Sequence, residues 1–368
     1  MRCIGISLSL LVLVSCAVLH PSGENGMEPG YQYVIGNEDK LLVSSSSGLA
    51  DVNSEEQLTP QHLMATFSMT KTVTAIAILQ LLERGHLELE DSINTLLDTP
   101  FPDEITIRQL ITHTSGIANP IPLKWVYLPE MKASFDEDNE LNALMMTNKK
   151  IKSPPGFKYR YSNIGYWLAG KVIEKVSGKS YQTYIEENVF NPLNLKSDQV
   201  SFAINESKLA KGHLKSFSLM GMIAPFMLDR NLLTNRDMSW TEIKAVHVYG
   251  PSYGGVFSTA EGMFSILQDI LKEQSVLLSG STKTLLFTKQ RDSNGRDIKM
   301  TLGWHTSTSH RRQYFYKEGG GAGYRSEMRI YPNERLASVI IANRTSYDVA
   351  GKLNLLDNLI LAEQRSNY

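Results

Sequence analysis

The sequence predicts an α/β fold, an α+β sandwich in which an antiparallel sheet is flanked by helices and carries an inserted helical domain. Three observations lead to it. Strand-like runs stand at both ends of the chain, over 31–35 and 40–45 at one end and over 302–306, 313–317, 326–331 and 337–342 at the other. The stretch between, from about 104 to 250, reads as helices and loops. One helix, over 68–84, is apolar nearly all round and belongs inside a core. Strands from both termini around a helical middle give an α/β domain of residues 31–103 and 251–368, with 104–250 inserted and a cleft between the two.

Residues 1–15 precede that fold. Arg2 supplies a small positive region, and 4–14 form a mostly apolar run that is short for a bilayer span and reads as a signal peptide. The run stops at Leu13-Val14-Ser15-Cys16, which resembles the bacterial lipobox, so Cys16 is the expected lipidation site; a cleaved signal with an incidental cysteine is the alternative. Cys3 and Cys16 are the two cysteines of the chain, so a mature form that keeps one holds no internal disulfide. Residues 16–30, rich in Gly, Ser, Pro, Asn and Glu, read as a tether. Two acyl chains on Cys16 would anchor it firmly. The expected location is therefore exported and lipid-anchored to a bacterial membrane, with Ala17 pointing, by analogy, to the outer one.

The remaining elements follow in order. Gly36-Asn37-Glu38-Asp39 form the turn between the first two strands. Val73, Ile76, Ala77, Leu79 and Leu81 make the body of the apolar helix, which Gly85 ends. Further helices are expected over 106–113, 139–147, 164–177 and 181–190, with a strand or turn at 254–258 and a helix over 260–271. The four late strands are consecutive and antiparallel, and a helix over 350–364 closes the chain. With 368 residues, 42% of them hydrophobic, the chain can bury a substantial core. A net charge of −1 without a Lys/Arg block argues against nucleic acid and for a small-molecule or peptide substrate.

Three short motifs carry chemistry. In Ser68-Met69-Thr70-Lys71 the serine and lysine sit three apart at a helix start, on one face. A helix N-terminus favours developing negative charge, and a lysine in an apolar setting loses proton affinity and can take a serine's proton. Tyr161-Ser162-Asn163 follows Pro154-Pro155-Gly156 and precedes a helix, a rigid loop that can present side chains. A tyrosine beside a lysine ammonium is expected to be lowered toward deprotonation and to relay protons, and Asn163 can position a partner. Lys317-Glu318-Gly319-Gly320-Gly321 ends a strand, where glycine lets a substrate backbone approach.

These motifs, in this order, make the chain similar to the β-lactamase-related serine hydrolases: class C β-lactamases, D-alanyl-D-alanine carboxypeptidases and esterases of the same β-lactamase/transpeptidase-like fold. The flanks agree over about 60–345, including His113-Thr114-Ser115-Gly116, Asn191-Pro192-Leu193, Gly254-Gly255 and Gly323-Tyr324. The resemblance implies Ser68 as nucleophile, Lys71 as its activator, Tyr161 as general base or acid, Asn163 as a positioning group and Lys317 beside the substrate. It also implies an oxyanion hole of the Ser68 and Gly320 N–H groups, with Glu318 and Gly319 in the substrate-binding strand. Glu318 departs from the Thr or Ser usual there. Its carboxylate repels acidic substrates unless it pairs with Arg325 or Lys317, which favours an ester or D-amino-acid peptide over an antibiotic. The alternative is a β-lactamase, or a penicillin-binding sensor lipoprotein with poor turnover. No cofactor is implied, and no His/Cys/Asp cluster has metal-ligand spacing.

Four segments remain. Asp138-Asn139-Glu140-Leu141-Asn142 resembles a deacylating element of class A β-lactamases but precedes Tyr161, and is read as a helix start. His113 is read as a structural hydrogen-bonding residue rather than a partner of the serine. The apolar stretches 123–128 and 217–228 either wall an acyl or leaving-group pocket or pack into the core of the helical region.

Overall fold

A computed structural model describes residues 27–120, 125–218, 230–236 and 239–366. The expected signal peptide, tether and Cys16 lie outside these residues. Strands β1 (Tyr31–Asn37) and β2 (Leu41–Ser47) form the expected hairpin. The sheet is completed from the far end of the chain by β3 (His305–Ser309), β4 (Arg312–Gly321), β5 (Tyr324–Tyr331) and β6 (Leu336–Ala342). The order is β3-β4-β5-β6-β1-β2, antiparallel throughout. Alternation along the strands gives the sheet two apolar faces. Val34, Met328, Val339 and Ile341 point to one face, and Tyr33, Ile35 and Ile340 to the other.

Helices cover both. Helix α1 (Thr70–Glu83) is buried along nearly its whole length and packs against α3 (Asn163–Ser177); α2 (Glu137–Thr147) is more exposed. Helix α4 (Ala260–Leu271) lies on β1 and β6, and α5 (Val349–Ser366) on β5 and β6 from the opposite side. Asp357 of α5 is fully buried. It accepts hydrogen bonds from Tyr33 (3.1 Å), Tyr331 (2.8 Å) and Ser338 (2.8 Å), with the Arg329 guanidinium 3.8 Å away. A charge so deep is tolerated because every nearby polar group serves it.

The structure differs from the sequence reading in three places. The apolar helix starts later, because Ser68 stands on a separate 3-10 turn, Phe67–Met69. The strand expected over 302–306 begins only at His305, since Gly303 takes φ +89° and any Cβ there would meet Ala75 Cβ at 2.6 Å. The middle of the chain is not purely helical. It also holds a three-stranded sheet of Gly212–Lys215, Trp240–Ile243 and Leu233–Arg236, strands too short to show an alternation. Among the described residues, no helix is long and apolar enough to cross a membrane.

Candidate active site

The turn that carries Ser68 is clamped from two sides. Thr66 donates to the Val256 carbonyl through its N–H (2.9 Å) and its hydroxyl (2.8 Å), while the Val256 N–H donates to the Thr70 hydroxyl (3.2 Å). From the sheet, Gly319 presses on the Thr66 carbonyl so closely that a Cβ would lie 2.1 Å from its oxygen. Between these clamps Phe67 is held at φ +44°, a left-handed conformation costly for a non-glycine residue. Ser68, next in the chain, is left half-buried and reachable.

Two side chains meet its hydroxyl. Lys71 Nζ donates to Ser68 Oγ at 3.1 Å, and the Tyr161 hydroxyl lies 2.5 Å from the same oxygen. Lys71 is fully buried, and its other hydrogen bond goes to the Tyr253 carbonyl at 2.6 Å. Burial, and then the nearby Lys317, hold its ammonium well below the usual lysine range. Among the described residues no carboxylate forms an ion pair with either lysine. Lys71 therefore gives up its proton more readily than an ordinary lysine, and its free amine is the form that can accept the Ser68 proton.

Tyr161 goes the other way. Burial pushes its phenol up to about 12, against the Ser68 hydrogen bond that lowers it and with Glu318 adding to the rise. The expectation of a lowered tyrosine is overturned, because burial outweighs the hydrogen bond and the adjacent lysine is not a strong cation. A protonated phenol between serine and cleft is suited to pass a proton on.

Local capping sets the Tyr161 loop. Ser162 caps α3 by accepting from the Gly165 N–H (2.9 Å), and the Asn163 N–H donates to Asn119 Oδ1 (2.7 Å). The Asn163 side-chain Oδ1 is buried and has no hydrogen-bond partner among the described residues. His113, fully buried at φ +58°, accepts the Ser162 N–H on Nδ1 (3.1 Å) and lays its ring 4.5 Å from that of Tyr161. Burial, Lys317 and Lys71 push it well below its ordinary value, so it supports the loop as a neutral ring. It makes no contact with Ser68 Oγ.

The third motif enters along β4, which continues as strand through Gly321 rather than ending at Lys317. Lys317 is fully buried, its Nζ has no hydrogen-bond partner, and burial, opposed by Glu318, brings it down to about 7. Strand alternation turns Glu318 to the opposite face, where it stands across from Glu327 and 3.5 Å from Arg325. Glu318 pairs with Arg325, the condition under which its expected repulsion of acidic substrates is relieved, although its charge still reaches Lys317 and Tyr161. Gly319 packs against Thr66, while Gly320 is exposed at the strand edge near Ser68's turn.

Sequence reasoning missed Tyr253, whose carbonyl fixes Lys71, and Asn119, whose amide fixes Asn163. Tyr253 adjoins the Gly254-Gly255 pair already singled out, a signal that could have found it. Of the two apolar stretches, residues 123–124 and 219–228 lie outside the described residues. Trp125 is buried, Val126–Tyr127 pair with His247–Val248, and Phe217 is exposed. Asp138 lies in the first turn of α2, which Asp136 caps (3.0 Å). Among the described residues no group of His, Cys, Asp and Glu could hold a metal ion.

Comparison with known proteins gives the family and the fold. The family model described as Beta-lactamase matches residues 19–362. A penicillin-binding protein of Bacillus subtilis (strain 168) is 26% identical over 319 residues, covering 84% of this chain and 68% of the relative. The protein flp of Staphylococcus aureus (strain MW2) is 29% identical over 181 residues, 47% of this chain and only 35% of its own length. Among solved structures, the octameric penicillin-binding protein homologue from Pyrococcus abyssi superposes with a TM-score of 0.73 at 21% identity, over 97% of this chain and 78% of that one. The D-amino acid amidase of Ochrobactrum anthropi SV3 complexed with L-phenylalanine amide also gives 0.73, at 18% identity, over 92% and 95%. At such identities the structural likeness speaks for the fold.

Proposed function

The chain belongs to the beta-lactamase family, and we propose that it is a serine hydrolase that cleaves an ester or amide bond through an acyl-enzyme on Ser68. One observation carries this reading: a single hydroxyl oxygen is held between a buried lysine at 3.1 Å and a tyrosine at 2.5 Å. Lys71, as free amine, takes the proton of Ser68 as Oγ attacks the substrate carbonyl. The oxyanion is met by the backbone N–H groups of Ser68 and Gly320, on opposite sides of the clamped turn. Tyr161 hands its proton to the departing atom and is reprotonated from Lys71. Water, deprotonated along the same pair, then releases the acyl group, and Asn163 positions the substrate through its side-chain amide.

Ester and D-amino-acid peptide or amide substrates suit this reading, supported by the likeness in fold to a D-amino acid amidase. Glu318, turned toward Arg325, leaves Lys317 free to meet an acidic group, and this favours a second reading, penicillin recognition with slow turnover. Turnover of nitrocefin against that of p-nitrophenyl esters and D-Ala-D-Ala peptides decides between them. In either case the proposed setting is outside the cytoplasm, anchored through Cys16; Cys16→Ser should release the protein from the membrane fraction. The central test is covalent. A fluorophosphonate should attach to Ser68, and Ser68→Ala should lower turnover by at least about 10³-fold with the fold unchanged by circular dichroism. Labelling on another serine, or retained turnover, sinks the assignment.

A further inference from the structure

Beyond Tyr316, β4 loses its outer neighbour. Strand β3 pairs with it only from Arg312 to Tyr316, so among the described residues no strand pairs with 317–321 on that side and they form a free edge. His305 stands where β3 leaves, opposite Tyr316, with the two rings 5.2 Å apart. The loop leading into Tyr161 approaches from the other side. Tyr159 on that loop hydrogen-bonds through its hydroxyl to His305 Nε2 at 3.1 Å, and its ring stands edge-on to His113 at 5.8 Å. The pair therefore ties the Tyr161 loop to the strand beside β4, two residues from Tyr161 on one side and one register step from Lys317 on the other. At the opposite end of the same free edge lie Gly320 and the turn that rests on Phe67.

This arrangement has a direction. In the acyl-transfer reading, on which the inference rests, Tyr161 gives its proton to the leaving atom, so the leaving group departs on the Tyr161 side. Tyr159 and His305 are the next side chains it meets, while the acyl portion lies toward Gly320. We propose that the Tyr159–His305 bridge sets the size of the leaving group, selecting esters of short alcohols and small amides over bulky ones. A longer group must break the Tyr159–His305 hydrogen bond or displace His305, whose Nδ1 is already buried without a partner. Charge gives no relief. Burial, then Lys317 and Lys71, push the His305 imidazole down to about 3, so the wall is neutral at ordinary pH.

The test separates leaving group from acyl group. Fluorophosphonate labelling of one sample identifies Ser68, and on a separate unlabelled sample kcat/KM is measured for acetate esters from methyl to octyl and for methyl esters from acetate to octanoate. The wild type should fall steeply along the alcohol series. His305→Ala should raise the octyl-to-methyl ratio by at least about tenfold. Tyr159→Phe, which keeps the ring and loses the hydrogen bond, should raise it less, and both variants should keep the wild-type acyl profile. An unchanged alcohol profile in His305→Ala, or equal changes in both series, overturns the inference while leaving Ser68 labelling intact. A wild type whose Ser68 takes the label in the parallel sample, yet whose unlabelled form turns over none of the short-alcohol esters, overturns it as well. An unlabelled Ser68 removes the acyl-transfer reading itself, and the leaving-group wall with it.

Discussion

Lys71 and Lys317 flank the same phenol, with their Nζ atoms 5.0 Å and 5.5 Å from the centre of the Tyr161 ring, and both are fully buried. Burial disfavours the charge on each, and the neighbouring lysine adds to the effect on Lys71. The same burial raises Tyr161. The resting site thus holds an amine ready to accept a proton and a phenol that keeps its own, a division of labour set by environment rather than by residue type.

Activity should follow that division. With a neutral ester, kcat/KM rises with pH as Lys71 loses its proton, at a midpoint well below the ordinary lysine range, and falls only as Tyr161 ionises toward about 12. Lys71→Ala should remove the rising limb and lower kcat/KM by about 10²- to 10⁴-fold. A rising limb that survives in Lys71→Ala assigns it to another group.

Lys317 should cost stability. Its folded value near 7 lies below the 10.5 of an ordinary lysine, so between those values the unfolded chain binds a proton that the folded one does not. Stability then increases from about pH 7 to 10.5, and below that window the penalty is full. Lys317→Met should flatten this slope and gain about 1–3 kcal/mol at pH 6, read from urea unfolding, while activity drops. An equal slope in the variant counts against the assignment.

Gly319→Ala tests the clamp on the nucleophile. Its new Cβ, 2.1 Å from the Thr66 oxygen, must push β4 or the Ser68 turn aside. We expect a loss of about 1–3 kcal/mol in stability and about 10²-fold in kcat, since reacting atoms displaced by an ångström lose that much. Unaltered kcat would mean that the turn does not depend on this contact.

Asp357→Ala tests the attachment of α5. It strips Tyr33, Tyr331 and Ser338 of their common acceptor and leaves Arg329 with Glu327. A loss of about 3–5 kcal/mol is expected, measured by chemical denaturation. A change under 1 kcal/mol would show that the network contributes little.

Much of this was legible in the residues. Five of the six strands that make the sheet, and the apolar helix, follow from alternation, periodicity and turn residues, while the strand expected over 302–306 lies at 305–309. What escaped depended on distant packing. The 3-10 turn at Ser68 exists because Val256 and Gly319 hold it, neither near it in sequence. Burial of Tyr161, which raises its phenol, is a property of the folded neighbourhood. The short strands at 212–215, 233–236 and 240–243 carry too few residues for a pattern. The side of Glu318 was within reach: adjacent residues of a strand point to opposite faces, but the glycine run was read as the strand's end.

The sheet joins the first strands of the chain to the last ones, β1 lying beside β6. Ser68 is synthesised early and Lys317 late, so a nascent or truncated chain ending before β4 has a nucleophile without its third motif and a hairpin without its sheet. The proposed site is therefore complete only once the C-terminal strands have docked. A topology so dependent on distant contacts folds slowly.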